Sequence, residues 1–418
     1  MIVGMTFLTG CAGNKENEAK PTITQGIQQP EPTKDRKPTS EPTKEPTKEP
    51  TAVPTAEPTR AIVKREPIVK GEMRNLSPKE MVAQMCVGWN LGNTMDATGT
   101  GMGSETSWGN PRTTNEMIQA VSEAGFDTLR IPCTWYNHMS GEDNVIDPAW
   151  LARVKEIVDY GFDNGMYVIL NAHHENVWQR PEYASLEAVK KKQTDLWTQV
   201  AEYFKDYGDH LVFEGMNEPR IEGGENEWNG GTAEGRDCIN QLNQNFIDAV
   251  RATGGNNETR LLLITTHSAS ATEEAFSGFV FPKDDHIALS LHAYTPYKFT
   301  YDDPNESQNT AEYNSAIQME VGDLMKKVKK FADSGNVPVI LTECGAVVKT
   351  LYGAPNTKEV GKWQKGYFKS AKKNGIPCVI WDNGIFNGSG ERFGLLDRKN
   401  LTWYYEEILD AVSAVNAE

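Results

Sequence analysis

The chain has 418 residues, with 42 Lys and Arg against 58 Asp and Glu, for a net charge of −16. The first 70 residues carry 11 basic and 9 acidic side chains, so the excess acid lies beyond them, where 31 basic residues face 49 acidic ones. A body that acidic repels a phosphate backbone, which sets nucleic-acid binding aside, and no uncharged apolar run approaches the roughly 18 residues needed to span a bilayer.

In chain order, a mostly apolar Met1–Leu8 leads into Leu8-Thr9-Gly10-Cys11. Residues 1–11 resemble a bacterial lipoprotein signal, which is cut before a Cys that is then acylated, although no Lys or Arg precedes Lys15 to form the usual basic n-region. The resemblance implies a lipid on Cys11 and a protein held at a membrane surface outside the cell. Ten of the 22 prolines then fall between Pro21 and Pro67, in repeats such as Glu41-Pro42-Thr43-Lys44 and Glu45-Pro46-Thr47-Lys48. Such a stretch cannot bury enough apolar surface to offset its ordering entropy, so residues 12–70 are expected to be a disordered, extended linker. Residues 71–418 remain as one folded domain. Its cysteines, Cys86, Cys133, Cys238, Cys344 and Cys378, are odd in number and no two lie two residues apart, so neither a disulfide framework nor a zinc knuckle is expected.

From residue 80 onward, short apolar runs alternate with segments of helical period. The predicted strands are Cys86–Asn93, Thr128–Trp135, Tyr167–Glu175, Leu211–Pro219, Arg260–His267, Ile287–Tyr294, Val337–Gly345 and Ile376–Gly384. Continuously apolar runs such as Tyr167-Val168-Ile169-Leu170 are what strands buried on both faces look like. Between them, Thr113 and Glu116 suggest a capping box, and Asp147-Pro148 an N-cap followed by an N1 proline, with Gly165 ending that helix. Eight strands, each followed by a helical segment, predict a (β/α)8 barrel. The glycines at 99–103 do not form the phosphate loop that usually opens a doubly wound sheet. Connections that leave strands are long and those that enter them are short, so chemistry is expected at the strand C-termini.

Polar residues gather there: Arg130 after strand 2, His173-His174-Glu175 after strand 3, Asn217-Glu218 after strand 4, His292 and Tyr294 after strand 6, Glu343 after strand 7 and Trp381 on strand 8. Carboxylates on strands 4 and 7 would face each other across the mouth, the arrangement glycoside hydrolysis requires. Arg130 would keep Glu343 ionised, a less solvated Glu218 would stay protonated, and His292 and Tyr294 would orient the nucleophile. Aromatic residues in the long loops, Trp135, Trp178, Trp228, Tyr297, Phe299, Tyr352 and Phe386, are candidates for stacking on sugar faces.

Arg130, His173, Asn217-Glu218-Pro219, His292-x-Tyr294, Glu343 and Trp381, in that order, resemble the invariant set of family 5 glycoside hydrolases, the cellulase A family. Gly88-Trp89-Asn90-Leu91-Gly92-Asn93-Thr94 and Gly109-Asn110-Pro111 resemble its bacterial endoglucanase branch, which includes xyloglucan- and lichenan-active enzymes. The resemblance spans about residues 72–418. It implies a retaining endo-β-1,4-glucanase that needs no cofactor and no metal, acts as a monomer, and has Glu218 as acid/base and Glu343 as nucleophile. Arg130, His173, Asn217, His292 and Tyr294 would support those two, Trp381 would stack on the sugar nearest the bond, and Asn93 and His174 would bind substrate; Trp178 and Trp228, from the loop aromatics, are expected to join them. Xyloglucan, mixed-linkage glucan, xylan or mannan are alternative substrates. A zinc hydrolase built on His173, His174 and Glu175 is a remote alternative, because such sites usually use spacings like H-x-H or H-E-x-x-H. A non-catalytic lectin is another, disfavoured because a pure binder needs neither Glu218 nor Glu343.

Overall fold

The computed structural model describes residues 62–303, 308–388 and 390–417. The signal segment, Cys11 and most of the expected linker lie outside those residues. Eight parallel strands close into a barrel: β1 Val87–Leu91, β2 Thr128–Ile131, β3 Tyr167–Asn171, β4 Leu211–Glu214, β5 Leu262–Ser270, β6 Ile287–His292, β7 Val339–Cys344 and β8 Cys378–Asp382. Each pairs with its neighbour in sequence, and β8 closes on β1 through Asn90 opposite Trp381. All eight predicted strands are present. The fifth begins two residues later and runs three further than expected, because Ser268 and Ala269 take left-handed backbone (φ 54° and 50°) and the pairing with β6 shifts between Thr265 and Ser270.

The helices cover the outside. Helix α1 (Pro78–Val82) precedes the barrel. Helices α2 (Asn115–Glu123), α3 (Pro148–Asp163), α4 (Leu186–Tyr203) and α5 (Ala233–Ala252) follow β1 to β4, and short α6 (Glu273–Phe276) follows β5. Short α7 (Tyr297–Thr300) and long α8 (Ser315–Ser334) follow β6, while α9 (Thr357–Lys373) and α10 (Glu407–Asn416) follow β7 and β8. Asp147 caps α3 through the Ala149 N–H at 2.8 Å, with Pro148 at N1 as expected. The cap of α2 is Thr114, not Thr113, whose N–H is instead held by the Glu105 carboxylate at 2.7 Å.

The lower barrel interior is apolar. Ile169, Val212, Leu263, Ala288, Ile340 and Val379 fill it from β3 through β8, and Met81, Val82 and Met85 from α1 and the turn after it join the same cluster. That cluster seals the end where the strands begin. Across the same end runs a strap of residues 62–70, which corrects the linker boundary set at 70. The Val63 N–H donates to Glu123 O at 3.0 Å, Arg65 Nη2 to Gly125 O at 3.2 Å and the Ile68 N–H to Phe162 O at 2.8 Å. Gly165 has to be glycine here: its φ is +69°, and a Cβ would meet Arg65 Cβ at 2.5 Å. The strap's composition still reads as linker, but its backbone is bonded to the turns that enter β2 and β3.

Among the described residues, all five cysteines are free thiols, four of them buried.

Candidate active site

Above the apolar plug, the barrel interior turns polar. Arg130 on β2 has no exposed surface and binds in four directions. Nε meets Glu214 Oε2 at 2.7 Å, Nη1 meets Asn90 Oδ1 at 2.9 Å and Glu343 Oε1 at 2.7 Å, and Nη2 meets Asn217 Oδ1 at 2.7 Å. Ser290 on β6 donates to Glu214 Oε1 at 2.5 Å. Burial works against the Arg130 charge, but Glu214 and Glu343 outweigh it and raise its pKa. A buried cation with two carboxylates on it is a rigid reference for everything above.

Glu343 is thereby fixed at both oxygens: Arg130 holds Oε1, and the Tyr294 hydroxyl donates to Oε2 at 2.9 Å. Burial and the neighbouring Glu343 push the Tyr294 phenol well up, so it remains a donor. Glu218 pairs with His292, whose Nδ1 lies 2.9 Å from Glu218 Oε1 and 3.5 Å from Glu343 Oε2. One oxygen of Glu218 and one of Glu343 lie within 4.8 Å of each other. Burial alone would raise the Glu218 pKa, as the sequence led us to expect. The hydrogen bond and charge of His292, with Arg220 and His174, outweigh it and hold the carboxyl below its ordinary value. The resting site thus favours ionised Glu218, which corrects that expectation.

The cleft over these groups has a volume of about 680 Å³ and is walled by His173, His174, Asn217, Trp228, Tyr297 and Trp381, among others. The state of His173 follows from its neighbours. The Cys133 N–H donates to Asn171 Oδ1 at 3.0 Å, so the Asn171 amide nitrogen faces His173 Nδ1 at 3.1 Å and leaves that atom as the acceptor. Burial, His174 and Arg130 lower the His173 pKa well below the usual range. His173 is therefore neutral, with its hydrogen on Nε2. Its ring is parallel to Trp381, with centroids 5.7 Å apart and planes within 1°.

Other expectations fail on position. Trp178 lies outside the cleft, with its indole nitrogen bound to Glu175 Oε2 at 2.5 Å and its ring under Lys192. Asn93 also stays out of the lining. In left-handed backbone (φ 54°), it donates its N–H to the Asp96 carboxylate, and its carbonyl accepts from the Asn110 amide. Trp135 and Phe299 are buried core residues, Tyr352 stands on a hairpin tip in solvent, and Phe386 packs on Tyr404. The zinc trio does not assemble, because the Glu175 carboxylate is taken by the Trp135 and Tyr136 N–H groups as well as by Trp178.

Three site residues escaped the sequence reading. Glu214 sits inside an apolar run, and only its inward register marks it. Arg220, two positions past Glu218, reaches back to it at 3.3 Å. Glu391, on the loop after β8, lines the cleft beside Tyr301, and burial with the nearby Glu343 raises its pKa.

A closed parallel barrel with paired carboxylates, one just past its fourth strand and one on its seventh, places the protein among the barrel glycoside hydrolases. The chain belongs to glycosyl hydrolase family 5, the cellulase family, whose model matches residues 95–387. It is 48% identical over 345 residues to endoglucanase A of Ruminococcus albus, covering 82% of this chain and 93% of that one. A broad-specificity GH5-4 endoglucanase from Clostridium longisporum superimposes with a TM-score of 0.78 at 40% identity, covering 83% of this chain and 99% of the other. A family 5 xyloglucan-specific endo-β-1,4-glucanase from a metagenomic library, solved with cellotriose, gives a TM-score of 0.77 at 42% identity, covering 82% and 99%.

Proposed function

We propose that the protein is a retaining endo-β-1,4-glucanase that cuts internal bonds of cellulose-like plant polysaccharides. The observation that carries this reading is the carboxylate spacing, with one oxygen of Glu218 and one of Glu343 within 4.8 Å of each other. Retaining pairs sit about 5–5.5 Å apart, whereas an inverting pair needs roughly 6.5–9.5 Å to admit a water between carboxylate and sugar.

In the first step, an oxygen of Glu343 attacks the anomeric carbon, the glycosidic C–O bond breaks, and Glu218 gives its proton to the departing oxygen. Arg130 and Tyr294 aim the nucleophile by holding both of its oxygens. A sugar filling the cleft expels water, which strengthens the burial that favours protonated Glu218. In the second step, Glu218 takes a proton from water, the hydroxide displaces Glu343, and the starting configuration is restored. His292 touches both carboxylates and stabilises each in its charged stage. Neutral His173 and the amide nitrogen of Asn217 donate to sugar hydroxyls, and Trp381 packs on the ring face at the reacting unit, with His174 beside it. Trp228, on the loop that carries Glu218, supports the sugar that leaves.

Substrate preference within this chemistry is tested with a panel of soluble β-glucans, xyloglucan, xylan and mannan. Loss of viscosity is scored against reducing ends released. A fast fall on β-1,4-glucan is expected; a slow fall with many new ends means attack from chain ends, and defeats the endo assignment. The same reading places the enzyme outside the cell, tethered through acylated Cys11 and the Pro/Thr/Glu/Lys-rich spacer.

A further inference from the structure

Arg220 follows Glu218 by two residues in the long loop after β4, and its guanidinium is engaged on its edges and on its face. Nη1 donates to the Glu218 carbonyl at 3.0 Å and lies 3.3 Å from Glu218 Oε2. Nε donates to Glu227 Oε1 at 2.9 Å, and Nη2 lies 3.8 Å from Glu222. The Trp228 ring covers its face, with the centroid 4.2 Å from Cζ. Glu227 is anchored in turn, by the Gly223 N–H at 2.8 Å and, through its carbonyl, by Ser268 on β5 at 2.6 Å. The Arg220 side chain is only 14% exposed, while Trp228 stands 54% exposed on the cleft wall.

We propose that Arg220 is a positioning residue that joins recognition of the departing sugar to proton transfer, its planar face carrying Trp228 and its edge holding Glu218. The inference rests on the acid/base role given to Glu218 above. A guanidinium can do both at once because it is planar, stacks on aromatic faces and donates along its rim; a lysine ammonium keeps the charge and loses the plane. Trp228 and Glu218 share one loop and one cation, so a sugar pressed on the indole also bears on the group that protonates its oxygen.

The ionisable groups that face Glu218 are Arg220, His292 from β6, Tyr294 just past β6, His174 from the end of β3, Glu343 from β7 and Glu391 from the loop after β8. Arg220 is among those that lower the Glu218 pKa. Removing its charge lets that pKa rise, so a rate that needs protonated Glu218 persists to higher pH.

The test compares the full chain with Arg220→Met and Arg220→Lys on a soluble β-1,4-glucan and on 2,4-dinitrophenyl β-cellobioside, whose leaving group needs no proton. For Arg220→Met, kcat/KM on the polysaccharide is expected to fall by about 10²-fold, with a much smaller loss on the dinitrophenyl substrate. Its alkaline limb should move up by about one pH unit. Arg220→Lys should keep the wild-type limb and show mainly a raised KM on the polysaccharide. The proposal is overturned if Arg220→Met keeps the wild-type limb, if it loses equally on both substrates, or if Arg220→Lys shifts the limb as far as Arg220→Met. A wild type silent on every β-glucoside would instead overturn the glucanase reading, and this inference with it.

Discussion

Arg130 and Glu214 form a 2.7 Å ion pair inside the barrel in which neither side chain has any exposed surface. Glu343 shares the same guanidinium from the cleft side, with 7% of its side chain exposed. Removing Glu214 strips a buried cation of its innermost partner, whereas removing Glu343 leaves that partner in place. Glu214→Ala is therefore expected to cost about 3–5 kcal/mol of stability, and Glu343→Ala distinctly less. Urea midpoints decide the matter: equal losses would show that the network is not anchored at Glu214.

The two carboxylates can be told apart by product stereochemistry. Glu343→Ala should abolish turnover and, on an activated β-glycoside, be rescued by azide entering the vacated face to give an α-glycosyl azide. Glu218→Ala leaves the nucleophile, so azide attacks the covalent intermediate and gives the β-glycosyl azide. That variant should lose about 10²–10⁴-fold on substrates whose leaving group needs a proton, and much less on the others. Azides of the reverse configurations would exchange the two roles.

Acid should weaken the fold through histidines that are buried uncharged. Burial lowers the His138 pKa to about 4, and its ring is stacked on Trp150 with centroids 3.6 Å apart. The unfolded residue titrates near 6.5, so between about 6.5 and 4 the unfolded chain binds a proton that the folded one refuses. Stability therefore falls as pH drops through that window and levels off below it. His138→Phe keeps a flat ring on Trp150 and should remove up to about one proton from the dependence. Urea melts from pH 7.5 to 4 that show the wild-type slope in His138→Phe would rule this account out.

Cutting the chain at Gly71 separates the strap from the barrel. Its bonds to Glu123, Gly125 and Phe162 disappear, with the 3.0 Å ion pair between Lys70 and Asp159. At roughly 0.5–1.5 kcal/mol per bond, a loss of about 2–4 kcal/mol is expected, with kcat on soluble substrate unchanged because the strap lies at the far end from the cleft. A protein that begins at Arg60 should match the full chain in both respects. Reduced kcat in the Gly71 form would mean that the strap shapes the site.

Acylation of Cys11 should send the protein into the detergent phase on phase separation, and Cys11→Ser should release it to the medium. Release of the unsubstituted protein from the same bacterial host would remove the anchor.

The barrel was legible because alternation of apolar runs with helical periods is a local signal, and the runs marked all eight strands. Strand ends were harder. The fifth continues because Ser268 and Ala269 take left-handed backbone in an irregularity beyond which Ser270 pairs with His292 on β6, which no propensity reports. The facing carboxylates were legible because Asn217-Glu218-Pro219 and Glu343 stand at the ends of such runs. Glu214 was hidden by the same logic: between Leu211-Val212-Phe213 and Met216 it lies in the middle of the predicted strand Leu211–Pro219, away from the strand end where polar residues were sought, and only closure of the barrel turns it inward. Trp178 and Trp228 are both tryptophans in loops after strands, yet the Glu175 carboxylate draws one away while Arg220 holds the other on the cleft wall. Those partners lie 3 and 8 residues away, and their effect depends on the folded loop.

Asn90, Arg130, Glu214, Ser290 and Thr342 knit five strands together with side-chain bonds beneath the cleft. One oxygen of Glu343 takes its position from those walls through Arg130, and the other from Tyr294, just past the end of β6. Transplanting the loops after β1, β6 or β8 from a relative should therefore carry over a taste for a different polysaccharide while the bond-breaking apparatus stays put. The loop after β4 is the exception, since Arg220 and Trp228 have to travel together or the graft will arrive with its acid unsupported.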